Sequence, residues 1–550
     1  MLPRTSVSRL LTLSAAAAAA ACKPANTFFF FAGSSASTSI SISIRISTTT
    51  NTPRYHSTMA TSTSPSTTTS PPPRTYSDAV TALNTLQTNF STLESARTST
   101  KQQDSQLLDQ VVESLRRIGH APADLTKLNV IHIAGTKGKG STCAFISSIL
   151  SQYRPAPIAK IGMYTSPHLR AVRERIQING AALPEDLFAR YFFEVWDRIE
   201  ASARAEGHDP SVKPAYFRFL TLVAFHTYLR EGVDTAILEV GIGGGYDSTN
   251  IVECPTVTGI TSLGIDHVGV LGSTIEEIAW HKAGILKGGR PMFTAPQTEG
   301  AMGVIRKRAE ERGAAGVTVV GVHPQIAGGE VRLGLPAEYQ KVNASLAVAI
   351  AAEHLKCLGA PVDTEVLPER FRKGLEEIVW PGRCQVKVEG NVEWCIDGAH
   401  TVESLSVAGE WFSGRVDKNA TPTRVLIFNQ QTRDSTALIR SLAASVAAVS
   451  PFDHAIFCTN VTWKDAGYKA DLVSMNTNPT EVSELQVQKT LEAAWKEQTA
   501  ASGKQAETHV LATIEGAVGV VRELSAKSDV QVFVTGSLHL VGGLLEVLDG

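Results

Sequence analysis

The sequence predicts an α/β protein, with a mostly parallel sheet behind a glycine-rich loop and a smaller α/β carboxy-terminal domain after it. Short apolar runs alternate with helical patterns, as in a parallel sheet covered by helices. One run ends in Gly135-Thr136-Lys137-Gly138-Lys139-Gly140-Ser141-Thr142 and leads straight into a helical pattern. The alternation restarts after about residue 370. With 550 residues, 43% hydrophobic and 19% charged, the chain can bury more than one core, which excludes a disordered or collagen-like polymer. The expected division is a transit peptide and linker over 1–76, a first α/β domain over 77–375 and a second over 376–550. The break falls near Trp380-Pro381-Gly382, where Pro and Gly stop regular structure.

Met1–Ser77 holds six basic residues, Arg4, Arg9, Lys23, Arg45, Arg54 and Arg74, and no acidic one. A positive, Ser- and Thr-rich, acid-free amino terminus is the composition of a mitochondrial transit peptide; the alternative is a low-complexity tail without an address, as Thr61–Pro73 suggests. The apolar stretches Ala15–Ala21 and Phe28–Phe31 are interrupted by Lys23, Pro24 and Asn26, well short of the ~18 residues of a membrane span, so no transmembrane segment is expected. Initiation at Met59 would give a cytoplasmic form beside the mitochondrial one. The 45 cations outside the tail face 53 anions, and this deficit of positive charge argues against nucleic acid as a partner. Seven scattered cysteines without a Cys-x-x-Cys pair fit a reducing compartment.

Through the body, helices are expected near Ser77–Gln87 and Ser105–Ile118, the latter with Leu107, Leu108, Val111, Val112 and Leu115 at helical spacing. A strand follows from Leu128, then the glycine loop and a helix over Ser141–Leu150. Thr235–Val240 and Val257–Leu263 repeat the strand pattern, the second before Asp266-His267 and a helix with Ile275, Ile278 and Ile285. In the later region Cys384–Val388 and Val392–Ile396 read as a strand pair. Val425–Asn429, Ala455–Thr459 and Val530–Thr535 read as parallel strands.

The loop carries the strongest chemical signal. Its glycines let backbone N–H groups wrap a polyphosphate, a helix amino terminus adds positive potential, and Lys139 can neutralise terminal phosphate charge. The spacing departs from G-x-x-x-x-G-K-[ST], because Ile133 holds the first glycine position and Gly140 separates Lys139 from Ser141. Glu239 ends a strand before Gly241–Gly245, where a carboxylate could hold Mg²⁺ and a glycine backbone could approach a ligand. Taken singly, His267 reads as a hydrogen-bonded structural residue, Lys282 as a surface lysine, Asp397-Gly398-Ala399-His400 as a turn and helix cap, and Arg383 as a surface cation or a phosphate contact.

Together these motifs resemble the folylpolyglutamate synthase family, the folate branch of the Mur-ligase-like amide ligases. The resemblance rests on Ala82–Gln87, the Gly135–Thr142 loop, Thr165–Leu169, Arg173–Ile176, Phe217–Phe225, Leu238–Gly241, Gly264–His267, Trp380–Arg383, Asp397–His400 and Thr535–His539. The loop with Gly after Lys139 is the family's own form, and Lys137 is its eukaryotic version. The resemblance implies a P-loop-type ATPase domain followed by a Rossmann-like domain. Thr136, Lys137, Gly138, Lys139, Gly140 and Ser141 would cradle ATP, with Arg383, Asp397 and Asn343 as further ATP contacts and Gln340 beside Asn343. Ser166, Glu239 and His267 would hold Mg²⁺, Lys282 would be the lysine that is carbamylated, and His400 would lie near the reacting groups. It implies K⁺ as a candidate monovalent cation. The substrates it implies are tetrahydrofolate and folylpolyglutamates, L-glutamate and ATP, with folate between the Ser166–Arg175 loop and the Phe217–Phe225 helix, although those aromatics also suit a core. The protein would be a monomer in the mitochondrial matrix, in peripheral contact with the inner membrane, and in the cytoplasm. The rival within the fold is dihydrofolate synthase, which adds the first glutamate to dihydropteroate; a Mur-type wall ligase and an ATP-switched regulator compete more remotely.

Overall fold

Strand β1 (Ile131–Ala134) is buried along its whole length, which is why Val130–Ala134 reads as a nearly continuous apolar run instead of an alternating one. In the computed structural model, which describes residues 74–87, 102–417, 421–431, 434–446, 452–465, 470–472, 484–500 and 505–550, β1 lies inside an eight-stranded sheet. The other members are β2 (Ile161–Tyr164), β3 (Ile176–Ile178), β4 (Ala181–Ala182), β5 (Thr235–Glu239), β6 (Val257–Ile260), β7 (Pro291–Thr294) and β8 (Gly316–Val319). Their order is β4-β3-β2-β5-β1-β6-β7-β8. The pairs β2–β3 and β3–β4 are antiparallel and the rest parallel. The expected strand over Val257–Leu263 stops at Ile260. Its last residues leave the ladder to brace the glycine loop, for Ser262 O accepts the N–H groups of Thr136 and Lys137 at 3.1 and 3.0 Å.

Around this sheet run α1 (Tyr76–Asn84), α2 (Gln102–Arg117), α3 (Lys139–Ser151), α4 (Glu185–Ala205), α5 (Tyr216–Glu231), α6 (Ile275–Lys282), α7 (Glu299–Glu311), α8 (Glu338–Cys357) and α9 (Glu369–Glu376). Thr75 and Asp78 form a capping box that starts α1. Alternate residues of β5 feed separate cores. Ala236 and Leu238 join Phe188, Phe192, Phe219 and Phe225, whereas Ile237 joins Phe145, Ile149, Leu346 and Phe371. Helix α9 lies close on α3 because it presents Gly374 there: a Cβ at that position would stand 2.6 Å from Ile149 Cα.

The second sheet contains β9 (Gln385–Glu389), β10 (Val392–Ile396), β11 (Thr423–Phe428), β12 (His454–Cys458), β13 (Glu507–Leu511) and β14 (Val530–Thr535), in the order β13-β12-β11-β14-β10-β9. The β9–β10 hairpin is antiparallel and the remaining pairs are parallel. It is covered by α10 (Val402–Arg415), α11 (Ser435–Val446), α12 (Gln486–Thr499), α13 (Ile514–Ser525) and α14 (Leu538–Asp549). Trp394 and Ile396 enter one core and Cys395 the other. Both sheets belong to one unit, Arg74–Gly550.

Of the transit-like tail, Met1–Pro73, with Met59, lies outside the described residues, whereas Arg74 pairs with Asp197 and Tyr76 already begins α1. Among the described residues no helix is long and apolar enough to cross a membrane, and the cysteines there are all free thiols.

Candidate active site

The motif residues sit where strands end. The glycine loop follows β1, Ser166 follows β2, Glu239 closes β5, His267 lies in the loop beyond β6 and Asp397–His400 follow β10. Those are carboxyl ends of parallel strands, the edge at which open α/β sheets bind ligands. All of the sequence-predicted site residues except Lys282 and Gln340 line one cavity of about 1350 Å³, larger than the ~300–1,000 Å³ usual for one small ligand.

The loop is held from behind. Gly138 caps α3 with φ 84°, and a Cβ there would stand 2.2 Å from Asn343 Oδ1, so the position requires glycine. Asn343 Nδ2 donates to Gln340 Oε1 at 2.9 Å and Gln340 Nε2 donates to Ser141 Oγ at 3.2 Å. Asn343 lines the cavity, while Gln340 is buried behind the loop as a brace. Thr142 N–H is bonded to Gly138 O at 2.8 Å. Helix geometry therefore leaves the N–H groups of Lys139, Gly140 and Ser141 at the open end, where an anion can accept them.

Glu239 is buried beside this loop, with 4% of its surface exposed. Its Oε2 accepts Ser166 N–H at 3.0 Å, and its Oε1 is 3.9 Å from Lys139 Nζ. Burial raises its pKa, and Lys139, the Ser166 N–H and Arg383 oppose the shift. A desolvated carboxylate favours a bound cation, and an oxygen donor set of Glu239 and Ser166 suits a hard dication. His267, in the left-handed region at φ 52°, reaches the same cavity from an exposed loop.

Lys282 is not the surface lysine that its helix suggests. It is 4% exposed, and its Nζ donates to Gly135 O at 2.7 Å. Burial first, and the charge of Lys139 second, pull its pKa down to about 7. Nor do the glycines after Glu239 all serve a ligand. A Cβ at Gly244 would meet His281 O at 2.7 Å, and one at Gly284 would meet Gly245 Cα at 2.3 Å, so these glycines let the end of α6 pack beneath the loop. Asp247 accepts the N–H groups of Gly241 and Ile242 at 3.1 and 3.2 Å and fixes the turn.

The second sheet supplies the other wall. Asp397 is buried, and its Oδ2 accepts Cys384 N–H at 2.9 Å. Desolvation raises its pKa against the pull of Arg383. His400 Nδ1 meets Gly398 O at 2.8 Å, and Gly398 N–H is bonded to Gly382 O at 2.9 Å. Lys137 of the loop donates to Thr401 Oγ1 and lies 3.6 Å from Glu403, which ties the loop to the start of α10. Toward the far end of the cavity, Phe217 lines the wall, whereas Phe219 and Phe225 are core. His168 and Arg175 also line it, with Arg175 Nε donating to His168 Nδ1 at 2.9 Å. These two, together with Trp380 and Tyr339, stand within or next to the motif segments, but residue type alone gives them no role there.

Fold and cavity together define a nucleotide-binding α/β protein whose phosphate loop is faced by an Arg–Asp pair from a second sheet. A family profile described as dihydrofolate synthetase, C-terminal domain, matches residues 383–547. Folylpolyglutamate synthase of Saccharomyces cerevisiae is 47% identical over 491 residues, spanning 86% of this chain and 87% of the yeast protein. The Mycobacterium tuberculosis folylpolyglutamate synthase complexed with ADP and AMPPCP is similar at TM-score 0.61 and 25% identity, covering 82% of this chain and 98% of that one. E. coli FolC in complex with DHPP and ADP is similar at TM-score 0.56 and 26% identity, covering 80% and 93%. The chain belongs to the folylpolyglutamate synthase family.

Proposed function

We propose that the chain joins the amine of L-glutamate to the γ-carboxylate of tetrahydrofolate and its polyglutamates, with ATP cleaved to ADP and phosphate, so that folates are retained in cell and mitochondrion for one-carbon metabolism. The observation that carries this reading is the single cavity in which the phosphate loop, the buried Glu239 and the second-sheet pair Arg383–Asp397 meet.

A carboxylate is a poor electrophile, so its oxygen first attacks the γ-phosphorus of ATP, giving an acyl phosphate and ADP. The glutamate amine then adds to the acyl carbon, and the tetrahedral adduct expels phosphate and gives up a proton to leave the amide. Lys139 and the open N–H groups of α3 hold the phosphates, with Thr136 to Ser141 as their cradle. Arg383 and Asp397 fix the nucleotide from the second sheet, with Asn343 beside the loop, and His400 stands next to the reacting carboxylate. Glu239, Ser166 and His267 are the residues that would hold Mg²⁺, which when bound offsets charge building on the transferred phosphoryl group. K⁺ is the monovalent cation proposed beside it. Lys282, with its amine largely neutral above about pH 7, is suited to react with CO₂. The carbamate would keep one N–H for Gly135 O and add an anionic oxygen donor to this corner. Arg175, His168 and Phe217 offer cationic and aromatic contacts to a pterin-containing acid.

The composition of Met1–Ser77 supports import into the mitochondrial matrix, with a cytoplasmic form from Met59; the body is proposed to act as a monomer. The test of function is labelled L-glutamate incorporation with tetrahydrofolate and dihydropteroate as parallel acceptors. Successive additions to tetrahydrofolate are expected. Product on dihydropteroate alone would move the assignment to dihydrofolate synthase, a second reading favoured by the description of the profile that matches 383–547.

A further inference from the structure

We propose that the amino-terminal edge of the second sheet carries a zinc site built from His454, Glu507 and His509. His454 opens β12 and Glu507 opens β13. The two strands pair in parallel with His454 opposite Glu507 and Ile456 opposite His509. Residues opposite one another, or two apart along a strand, share a face of the sheet, so all three side chains emerge together. They lie at the end of the sheet opposite the carboxyl termini of the strands, which carry Asp397–His400, and they are not part of the cavity lining.

The ligand atoms are spaced for a metal. His454 Nδ1 is 3.3 Å from His509 Nε2. Glu507 Oε2 lies 3.6 Å from His454 Nδ1, and Glu507 Oε1 lies 3.9 Å from His509 Nε2. In a tetrahedral zinc centre with bonds of ~2.0–2.2 Å, ligand atoms stand roughly 3.3–3.5 Å apart. The imidazole pair already meets that spacing, and a few tenths of an ångström of carboxylate movement completes it. Freedom is distributed to allow this: the His454 and His509 side chains are 15% and 22% exposed, against 69% for Glu507. A fixed imidazole pair and a swinging carboxylate leave the fourth position to water and keep an entry path open.

Two imidazoles and one carboxylate are a borderline donor set, suited to Zn²⁺ and its transition-metal neighbours over Mg²⁺ or Ca²⁺. Asp453 adds negative charge beside His454, and Lys527 opposes it. β13 is the outer strand of its sheet and pairs with β12, so a metal bridging the two strands would clip that edge.

The test uses the full chain without a histidine tag, stripped of metal and titrated with Co²⁺ in excess Mg²⁺, which competes for the oxygen donors of the nucleotide cavity. One Co²⁺ with the strong visible absorption of four-coordinate cobalt is expected, displaced by Zn²⁺. Both His509→Asn and the exposed Glu507→Gln should weaken it by about tenfold or more, with unchanged far-ultraviolet circular dichroism showing that the variants are folded. Absence of the cobalt signal, or folded variants that bind within tenfold of the wild type, would overturn the proposal.

Discussion

Lys139 stands 3.9 Å from the buried Glu239, and the proposed function gives the two charges separate work. Lys139 would face phosphate, while Glu239 would offer its carboxylate to a cation. Replacing Lys139 by Ala should lower kcat by about 10²–10³-fold, the usual cost of one preorganised charge contact, with circular dichroism unchanged. Turnover like the wild type would remove Lys139 from the mechanism. Lys282 gives a pH signature. With its pKa near 7, protonation below that value removes the nucleophilic amine, so activity regained after CO₂ depletion should return faster with bicarbonate at pH 8 than at pH 6. Lys282→Ala should cost about 10–100-fold through the oxygen donor it no longer positions, and added formate should restore part of that. Bicarbonate independence at both pH values would argue against the carbamate. At this scale the sequence carried residue types and order. It did not carry burial: Glu276 and Glu277 in the first turn of α6 make Lys282 look like one more surface charge, and the close packing of Gly244 on the helix end, with Gly284 just beyond it against Gly245, takes it inside.

At the scale of elements, the start of α3 depends on glycine for two reasons at once. Gly138 has φ 84° and no room for a Cβ beside Asn343. Gly138→Ala should therefore destabilise the fold by roughly 1–3 kcal/mol and raise the KM for ATP, both checked by thermal unfolding with and without nucleotide and by steady-state kinetics. An unchanged melting temperature and KM would contradict a phosphate cradle built on Gly138. Gly374→Ala tests packing alone, because its Cβ would press on Ile149. About 1–3 kcal/mol of stability should be lost, with the KM for ATP little altered in protein that remains folded. Strands β1, β5, β6, β9, β10, β11, β12 and β14 were legible from sequence to within a few residues. β2, β3, β4, β7, β8 and β13 were not. β3 and β4 have three and two residues, and β8 and β13 are partly exposed outer strands, so neither length nor apolar periodicity marks them.

On the scale of the whole molecule, two mostly parallel sheets turn the carboxyl ends of their parallel strands toward one cavity, and contacts such as Lys137 to Thr401 and Arg170 to Glu546 at 2.6 Å join the first sheet's loops to the second sheet's helices. The sequence revealed both sheets and most of the cavity wall, because glycines, acids and histidines cluster at strand ends. It could not reveal that Phe217 belongs to the cavity while Phe219 and Phe225 belong to the core, since all three lie on the same helical pattern. The central claim is that this cavity activates a carboxylate by phosphorylation. The most direct measurement uses tetrahydrofolate labelled with ¹⁸O in its γ-carboxylate, turned over with ATP and L-glutamate, and analyses the inorganic phosphate by mass spectrometry. An acyl phosphate requires one labelled oxygen to leave with each phosphate released; phosphate free of label, with amide still formed, would contradict it.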